Sequence, residues 1–285
     1  MESGRSDGLL LVDKPAGMTS HDAVNRVRRA LGERRIGHAG TLDPFATGLL
    51  VMMVGRATRL LPYVEGEPKV YEATIRFGFA TDTDDLTGAP VANAPLPERD
   101  AVADGIARLT GTIDQLPPAY SAKQVAGRRA YAAARRGETL ALAPSKVDVH
   151  EWHVHRFDGD ELDVTVTVGG GTYVRALARD LGASVGSAAH LTKLRRIRSG
   201  VASVEQAIAL DDVTRQALRA PLDAMPSLPR VPLNPAELGR VGRGMPVAAA
   251  GSERRCALVD DDGELVAVAD RDGEHWQPRV VLRDG

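Results

Sequence analysis

The chain has 285 residues, of which 43% are hydrophobic and 26% are charged, and its formal net charge at neutral pH is −2. This length fits one large domain with a small appendage, and no apolar run approaches the roughly 20 residues that span a bilayer. The apolar stretch near the N-terminus is too short for a secretory signal. The single cysteine, Cys256, excludes an internal disulfide and a multi-thiolate zinc site. We therefore expect a cytoplasmic protein that contacts no membrane.

Basic residues are concentrated in three stretches, although the overall charge is close to zero. They lie at residues 26–35, 128–136 and 193–198, and acidic residues gather at 82–85 and 260–262. Clustered cations fit a polyanionic partner such as RNA, but they also fit ordinary solvated helix and strand faces. Charge alone leaves the two interpretations open.

The first part of the chain predicts strands around one helix. Residues 8–15 predict a short buried strand that ends at a proline. Residues 20–32 predict a helix, with Ser20 as its N-cap and Gly32 at its C-terminal end. Residues 49–54 are apolar throughout, which is typical of a strand buried on both faces.

The next elements predict the fold class. Residues 69–79 alternate, with Tyr71, Ala73, Ile75 and Phe77 on the buried face and Glu72, Thr74 and Arg76 on the other. Helices are then predicted near 97–109 and 128–137, strands near 145–157 and 161–169, a helix from about Thr172, and a strand at 191–200. This order lacks a regular βαβ rhythm, so it predicts an α+β fold instead of a doubly wound parallel sheet.

The end of the chain predicts a separate small module. Four prolines in residues 226–235 indicate a linker. The remaining residues predict short strands with turns at 260–263 and 271–273. We therefore divide the chain into residues 1–230 and a C-terminal β module at 231–285.

The most informative segment is residues 37–58, GHAGTLDPFATGLLVMMVGRAT. Its glycines allow a sharply bent loop, and Pro44 biases Asp43 toward an extended or turn conformation. Such a loop, running into a buried strand, can hold the Asp43 carboxylate over a cleft. An Asx turn ahead of Pro44 is the structural alternative. The residue pattern leaves both open.

A second segment, residues 169–182, places three glycines before a helix that carries Tyr173, Arg175 and Asp180. The glycine spacing matches neither the P-loop nor the dinucleotide fingerprint, which argues against a nucleotide cofactor. A cation near a helix start opposes the helix dipole. We therefore expect Arg175 to pair with an acid or to contact a phosphate.

Three histidines suggest a metal site. They are His150, His153 and His155. His153 and His155 would share one strand face, but no catalytic acid motif lies nearby, so we interpret all three as half-exposed strand residues. The acidic loop at 81–88 lacks the glycine and glutamate spacing of an EF-hand. We expect neither a metal nor a cofactor.

Six ordered blocks resemble the tRNA pseudouridine-55 synthases, the TruB-type enzymes. They are GLLLVDKPAGMTSHDAV, GHAGTLDPFATGLL, KVYEATIRFGFATDTDDLTG, QLPPAYSAKQVAGRRAYAAARRGE, GGGTYVRALARDLG and AHLTKLRR. The resemblance implies the pseudouridine synthase fold, a mixed and largely antiparallel sheet with flanking helices, followed by a small β-rich PUA-like RNA-binding domain. It also implies isomerisation of uridine 55 in the TΨC loop of tRNA, by base flipping and an aspartate-dependent break and re-formation of the glycosidic bond.

The resemblance assigns catalytic and pocket roles to five residues. Asp43 matches the catalytic aspartate, as nucleophile, and Arg175 matches the arginine whose guanidinium pairs with it and favours its ionised form. Tyr71 matches the tyrosine that stacks on the flipped uracil, and its hydroxyl is a candidate for removing the carbon 5 proton. Tyr173 and Leu194 match further residues that line the base pocket.

The resemblance also predicts how the tRNA is held. His38 matches the histidine that inserts into the tRNA loop. Lys193, Arg195 and Arg196 are predicted phosphate contacts, with a solvated strand face as the alternative. Arg128 and Arg129 are predicted to contact phosphates as well.

An insertion at about 125–152 resembles the thumb with which stand-alone enzymes grip the tRNA arm. The archaeal and eukaryotic relatives that use a guide RNA lack it, so its presence implies an enzyme that works without a guide. No exposed apolar stripe in the sequence suggests more than a monomer. The chain departs from the family at Lys123, which stands one place before the family's lysine, and no role is transferred to it. A non-catalytic RNA-binding protein and a hydrolase that releases uracil remain as alternatives.

Overall fold

The computed structural model describes residues 6–120, 124–125, 128–129 and 142–282. The four α-helices in these ranges are α1 (Ser20–Leu31), α2 (Arg99–Arg108), α3 (Val174–Ser184) and α4 (Pro235–Gly242). A 3-10 helix spans Gly55–Tyr63. Within the described residues, no helix has the length and apolar character needed to cross a bilayer.

Strands make up most of the remaining structure. In chain order they are β1 (Gly8–Lys14), β2 (Ile36–His38), β3 (Thr47–Val54), β4 (Lys69–Phe77), β5 (Phe79–Thr81), β6 (Pro90–Asn93), β7 (Gly111–Gln115), β8 (Gln124–Val125), β9 (Arg128–Arg129), β10 (Ser145–Phe157), β11 (Glu161–Val168), β12 (Ala189–Ser199), β13 (Ala202–Ser203), β14 (Ile208–Ala209), β15 (Arg230–Pro232), β16 (Val247–Ala248), β17 (Arg255–Val259), β18 (Leu265–Asp272) and β19 (His275–Val281).

A ten-stranded sheet forms the body of the protein. Its main order is β14-β1-β3-β12-β4-β11-β10-β7, with β2 added to β3 and β13 added to β12. The pairs β1–β14 and β3–β12 are parallel, and the others are antiparallel. The predicted α+β class with a mixed, largely antiparallel sheet is therefore confirmed. Because β3 pairs with β12 only near their ends, the loop before β3 lies beside β12 in the middle of the sheet.

The two faces of the large sheet are covered differently. On one face, apolar residues of α1 and α3 pack against alternate residues of the strands, such as Leu10 and Val12 of β1. On the other face, Leu9 and Leu11 pack with Val259 and other residues of a five-stranded C-terminal sheet, β15-β17-β18-β19-β16. Successive strand residues point to opposite faces. Strand β1 is therefore buried on both.

Most predicted elements are present, with ends within two residues of the prediction. The N-cap of α1 is an exception, because it is Thr19 and not Ser20. The Thr19 hydroxyl accepts a hydrogen bond from the Asp22 amide at 3.1 Å, and the Asp22 carboxylate accepts one from the Thr19 amide at 3.0 Å. This capping box satisfies two amides of the first turn. The predicted helix end at Gly32 is confirmed by its left-handed φ of 61°.

Strand β4 follows the predicted alternation with one correction. Tyr71, Ala73, Ile75 and Phe77 are buried as expected. Thr74, which was placed on the less buried face, is only 5% exposed. Its hydroxyl donates a hydrogen bond of 2.7 Å to Asp163 on the neighbouring strand β11. The register of a partner strand, which the local pattern does not contain, explains the burial.

Three further predictions concern segments between residues 125 and 235. The predicted helix at 128–137 is wrong at its start, because Arg128–Arg129 pairs with Gln124–Val125 as a hairpin. The rest of it, like Lys123, lies outside the described residues. The predicted insertion at 125–152 stays a prediction, and its last part, from Ser145, belongs to β10, which pairs with β7 in the large sheet. The predicted linker at 226–235 contains β15. Its three residues pair in parallel with β17 at the edge of the C-terminal sheet.

Candidate active site

Asp43 lies on the loop between β2 and β3, and neighbouring backbone groups hold this loop on both sides. The Ser20 hydroxyl accepts a hydrogen bond from the Leu42 amide at 2.8 Å and donates one to the Leu42 carbonyl at 3.1 Å. The Gly17 amide donates to the Pro44 carbonyl at 2.9 Å. The residues before and after Asp43 are therefore both anchored. A carboxylate held this way is positioned before any substrate arrives.

Arg175 binds the Asp43 carboxylate with two donors. Its Nε lies 2.9 Å from Oδ2 and its Nη2 lies 3.0 Å from Oδ1. The arginine side chain is 4% exposed, whereas the aspartate side chain is 31% exposed. Such a bidentate, charge-assisted pair fixes the orientation of the carboxylate. The predicted pairing is present, and the Asx turn is not needed to explain why Asp43 is ordered.

The other donors of Arg175 are also satisfied. Nη1 donates to the Thr83 carbonyl and Nη2 to the Tyr120 carbonyl, each at 2.8 Å. The buried carboxylate of Asp85 lies 3.7 Å from Nη1. It is oriented by the Thr83 hydroxyl at 2.8 Å and by the Thr87 amide at 2.9 Å. Arg175 therefore stands between two carboxylates and cannot rotate without losing several contacts.

The acidic loop that supplies Asp85, which the sequence presents only as a calcium candidate, pairs instead with arginines of α3. Its second acid, Asp84, accepts a hydrogen bond from Nη1 of Arg179 at 3.1 Å. Burial raises the pKa of Asp84, and the Arg179 charge partly opposes this effect. The sequence signal was the excess of acids at 82–85. The arginine partners of Asp85 and Asp84 lie 90 and 95 residues further along the chain.

Gln115 is a second residue that the sequence did not single out. Its side-chain amide is 1% exposed and forms two hydrogen bonds with the backbone of Tyr173. Nε2 donates to the Tyr173 carbonyl at 3.2 Å, and Oε1 accepts from the Tyr173 amide at 2.9 Å. Tyr173 directly precedes α3. Gln115 therefore orients the start of the helix that carries Arg175.

A cavity of about 980 Å³ opens beside the Asp43 loop. Its lining includes Pro44 and Phe45 from the loop and Leu194 from β12, together with the charged residues Lys193 and Arg195. Of the predicted base-pocket residues, Leu194 lines this cavity, whereas Tyr71 and Tyr173 lie outside its lining. Tyr71 is buried on β4, the strand next to β12. The cavity is large enough to hold a nucleoside next to the Asp43 loop.

Lys14 is a further cation near the loop that the sequence did not reveal. Its side chain is fully buried, and Nζ donates to the carbonyls of Pro15 and Met18 at 2.8 and 2.9 Å. Burial lowers the pKa of Lys14 to about 8, and the negative charge of Asp43 partly opposes that change. Both Lys14 and Arg175 thus stabilise the negative charge on Asp43.

Two protein-family models match the chain. The N-terminal domain of the TruB family pseudouridylate synthases matches residues 28–174, and the C-terminal domain of tRNA pseudouridylate synthase B matches residues 175–237. The chain is also 47% identical to tRNA pseudouridine synthase B of Thermobifida fusca, over 97% of this chain and 99% of the relative. The chain belongs to the TruB family. The resemblance seen in the six sequence blocks is therefore confirmed.

Other TruB-family relatives and solved structures agree with this result. The tRNA pseudouridine synthase B of Mycobacterium ulcerans is 44% identical over 98% of this chain and 96% of the relative. A Cbf5-Nop10-Gar1 complex has a chain with a TM-score of 0.73 and 24% identity, covering 98% of this chain and 86% of that one. The latter likeness shows the shared fold. The boundary between the two family matches falls just before Arg175, so the Asp43–Arg175 pair joins the two matched regions.

His38 lies at the end of β2, close to the loop of this TruB-family enzyme. Its side chain is half-buried. Burial lowers the pKa of His38, and the nearby positive charge of Arg196 lowers it further. The neutral ring is therefore favoured at neutral pH. Insertion of this ring into the tRNA loop stays a prediction.

The predicted phosphate contacts divide into three groups. Lys193 is exposed, and Arg195 is half-exposed in an ion pair with Asp13, with Nη2 2.6 Å from Oδ2. Arg196 is 0% exposed, so the prediction of a phosphate contact does not fit this side chain. It lies on the opposite face of β12 from Arg195, where the loop covers it. The side chains of Arg128 and Arg129 lie outside the described residues.

The histidines of β10 are exposed strand residues. Among the residues that the structure describes, no group of three histidine, cysteine or acidic side chains is placed to hold a metal ion. The His153 and His155 rings contact each other, with centroids 4.7 Å apart. A ring nitrogen of His155 lies 2.8 Å from the Thr165 hydroxyl. These contacts fit the interpretation of the two residues as partly exposed strand side chains.

Proposed function

We propose that this TruB-family enzyme converts uridine to pseudouridine at position 55 in the TΨC loop of tRNA. The observation that carries the proposal is the Asp43 carboxylate, held on an anchored loop by a buried arginine and next to a cavity. The relatives with 41–47% identity, all named tRNA pseudouridine synthase B, support tRNA as the substrate.

Asp43 acts as the nucleophile in this proposal. The target nucleotide flips out of the tRNA loop, and an Asp43 carboxylate oxygen bonds to its C1′ as the bond from C1′ to N1 of uracil breaks. The uracil then rotates, and carbon 5 bonds to C1′ as the carboxylate leaves. Carbon 5 loses its proton while N1 gains one. Because atoms and electrons balance within the nucleotide, the reaction requires no cofactor. Arg175 keeps the carboxylate charged and oriented, since it supplies two donors to it.

Aromatic and basic residues would bind the RNA. Tyr71 stacks on the flipped uracil and removes the carbon 5 proton, and Tyr173 and Leu194 complete the pocket. His38 takes the space that the flipped base leaves in the loop, for which a neutral ring is suited. Lys193 and Arg195 contact phosphates, as do Arg128 and Arg129. Arg196 is not included, because it is buried.

We place the enzyme in the cytoplasm as a monomer that needs no guide RNA. The match over nearly the full length of bacterial relatives supports the stand-alone arrangement. The solved structures whose titles name H/ACA particles share the fold at 22–24% identity, which is too distant to transfer their partners.

The decisive experiment maps pseudouridine at every uridine of a tRNA transcript made in vitro, in buffer that contains a chelator. We compare wild-type protein with Asp43→Asn and with Asp223→Asn as a matched control. Asp223 is a surface aspartate of similar exposure, 39%, and it also pairs with an arginine. The wild type and the control should convert one TΨC-loop uridine, whereas Asp43→Asn should bind tRNA within about twofold and lose at least roughly 1,000-fold in rate.

Three other results would reject parts of the proposal. Release of free uracil would indicate a hydrolase. Binding of the transcript by wild-type protein without conversion would favour a non-catalytic RNA-binding protein or a guide-dependent enzyme. Conversion by Asp43→Asn at the wild-type rate would remove Asp43 from the chemistry.

A further inference from the structure

Arg196 connects the two ends of the loop that carries Asp43. Its Nε donates to the Leu49 carbonyl at 2.8 Å, and its Nη2 donates to the Gly40 carbonyl at 3.1 Å. Gly40 precedes Asp43 and Leu49 follows it. A single planar guanidinium therefore bridges the start and the end of the loop, a geometry that a lysine ammonium cannot reproduce.

The loop backbone approaches Arg196 closely at two glycines. Gly48 has a φ of +101°, and a Cβ at this position would lie 2.3 Å from the Arg196 carbonyl oxygen. Gly40 has a φ of +93°, and a Cβ there would lie 3.3 Å from Nη1. Only glycine adopts these backbone angles without strain. Gly48 therefore allows close approach to the Arg196 backbone, and Gly40 allows close approach to its guanidinium.

Burial of the Arg196 charge is unfavourable for the free energy of folding. Its side chain is completely buried, and its charge contributes to lowering the pKa of three neighbours, Lys14, His38 and Lys69, for each of which burial is the larger cause. A buried charge with two lysines nearby destabilises the fold relative to an apolar side chain of similar size. The contacts to the two carbonyls give this arginine a role that an apolar side chain lacks.

We propose that Arg196 is a positioning residue, which holds the Asp43 loop in its reactive geometry without touching RNA. Arg175 orients the carboxylate, and Arg196 orients the backbone beneath it. The inference rests on the proposed function, since the loop geometry matters to the rate only if Asp43 reacts with the nucleotide. A displacement of about 1 Å in a reacting group can lower a rate by roughly 100-fold, so a small loosening of the loop is sufficient.

The test uses full-length Arg196→Lys, Arg196→Gln and Gly48→Ala proteins. Two quantities are measured, namely the single-turnover rate with saturating enzyme and the tRNA dissociation constant between 50 and 200 mM salt. We expect all three variants to lose about 100-fold in rate. Their tRNA affinity and its salt dependence should stay within twofold of the wild type. Gly48→Ala disturbs the loop from its other side, at the backbone of Arg196, and leaves the guanidinium itself in place.

Two reference variants lie on the same strand. Arg198→Gln removes an exposed arginine two residues away and should leave both quantities near their wild-type values. Arg195→Gln shows how loss of a phosphate contact behaves, with weaker binding and a salt slope reduced by about 1. Amide hydrogen exchange is followed in parallel. In the Arg196 variants, exchange should accelerate within residues 40–49 and stay unchanged in β4 and β18.

The outcomes separate this inference from the proposed function. If Arg196→Lys binds tRNA weakly with a shallower salt slope but reacts at the wild-type rate when saturated, Arg196 contacts phosphate and the inference is wrong. If both Arg196→Lys and Gly48→Ala lose protection throughout the molecule, the residue serves general stability and the inference is also wrong. If wild-type protein forms no pseudouridine, it is the proposed function that fails.

Discussion

The Asp43 loop and the C-terminal sheet are held in place by different kinds of interaction. The loop is positioned by directional contacts from Arg175, Arg196 and the Ser20 hydroxyl. The C-terminal sheet packs around a cluster of buried apolar residues that includes Leu258, Val266 and Trp276. Directional contacts specify a geometry, whereas apolar burial supplies stability that tolerates small shifts. We therefore expect damage to the loop to appear in the rate and damage to the sheet to appear in stability.

The two regions also differ in how far apart their partners are in the chain. Asp43 and Arg175 are separated by 132 residues. The strands β17, β18 and β19 are consecutive and pair as neighbours. Contacts between distant residues depend on the whole sheet being formed, whereas a meander needs only local pairing. The reactive geometry is therefore more sensitive to distant changes than the C-terminal sheet is.

The largest effect is expected for Arg175→Met. This change removes the pair with Asp43 and leaves Asp85 buried without its cation, so the rate should fall by at least about 1,000-fold and stability by roughly 3–5 kcal/mol. Single-turnover rates and urea unfolding measure the two effects. The control is Arg179→Met on the same helix, at a side chain that is 27% exposed. A loss of rate in the control as large as that in Arg175→Met would contradict the special role of Arg175.

Trp276→Ala tests the other region. Removing this fully buried side chain leaves a cavity in the C-terminal core, which typically costs about 3–5 kcal/mol. Thermal unfolding should begin at a lower temperature, while the rate with saturating tRNA should stay within about threefold of the wild type. The control is His275→Ala, which changes the exposed residue next to Trp276. If Trp276→Ala lost as much rate as Arg175→Met, the two regions would not differ in the way that we expect.

The two regions should respond oppositely to high pH. Burial lowers the pKa of Lys14 to about 8, from 10.5. Between these values the unfolded chain holds a proton that the folded protein has released, so stability rises with pH, by at most about 1.4 kcal/mol per pH unit. Denaturant unfolding of wild type and Lys14→Met from pH 7.5 to 10.5 measures this difference. If the difference in free energy of unfolding between the two proteins does not change with pH, the pKa of Lys14 is not lowered in the folded protein.

The thiol in the C-terminal core provides the opposite sign. Burial raises the pKa of Cys256 to about 12, from 9.0. Above pH 9 the unfolded thiol loses its proton while the folded one keeps it, so its contribution to stability decreases as pH rises. The free energy of unfolding of the wild type, relative to that of Cys256→Ala, should therefore decrease between pH 8 and 10.5. A difference that does not change with pH would mean that the thiol titrates in the folded protein as it does in the unfolded chain, and that burial does not raise its pKa.

The smallest expected effect comes from Thr19→Ala. Loss of the N-cap hydrogen bond should destabilise α1 by about 1 kcal/mol. The rate should decrease by less than about threefold, because Ser20 in the next position still anchors Leu42. Urea unfolding and the single-turnover rate measure these two quantities, with Ser203→Ala at another capping box as control. A large drop in rate would show that the cap itself positions the loop.

Local sequence patterns predicted the elements that depend on local periodicity. The helix end at Gly32 and the buried face of β4 followed from spacing and backbone preference alone. The correct N-cap was also available, since Thr19 and Asp22 have the spacing of a capping box. The burial of Thr74 was not available, because it depends on which residue of β11 lies opposite.

The sequence by itself determined the family, the bent loop around Asp43 and the need of Arg175 for an anionic partner. It did not determine which of two adjacent arginines meets solvent. Arg195 and Arg196 have the same chemistry, yet one pairs with Asp13 at the surface and the other is buried beneath the Asp43 loop. Consecutive strand residues point to opposite faces. What covers each face depends on segments more than 100 residues away in the chain, and only the folded structure brings them together.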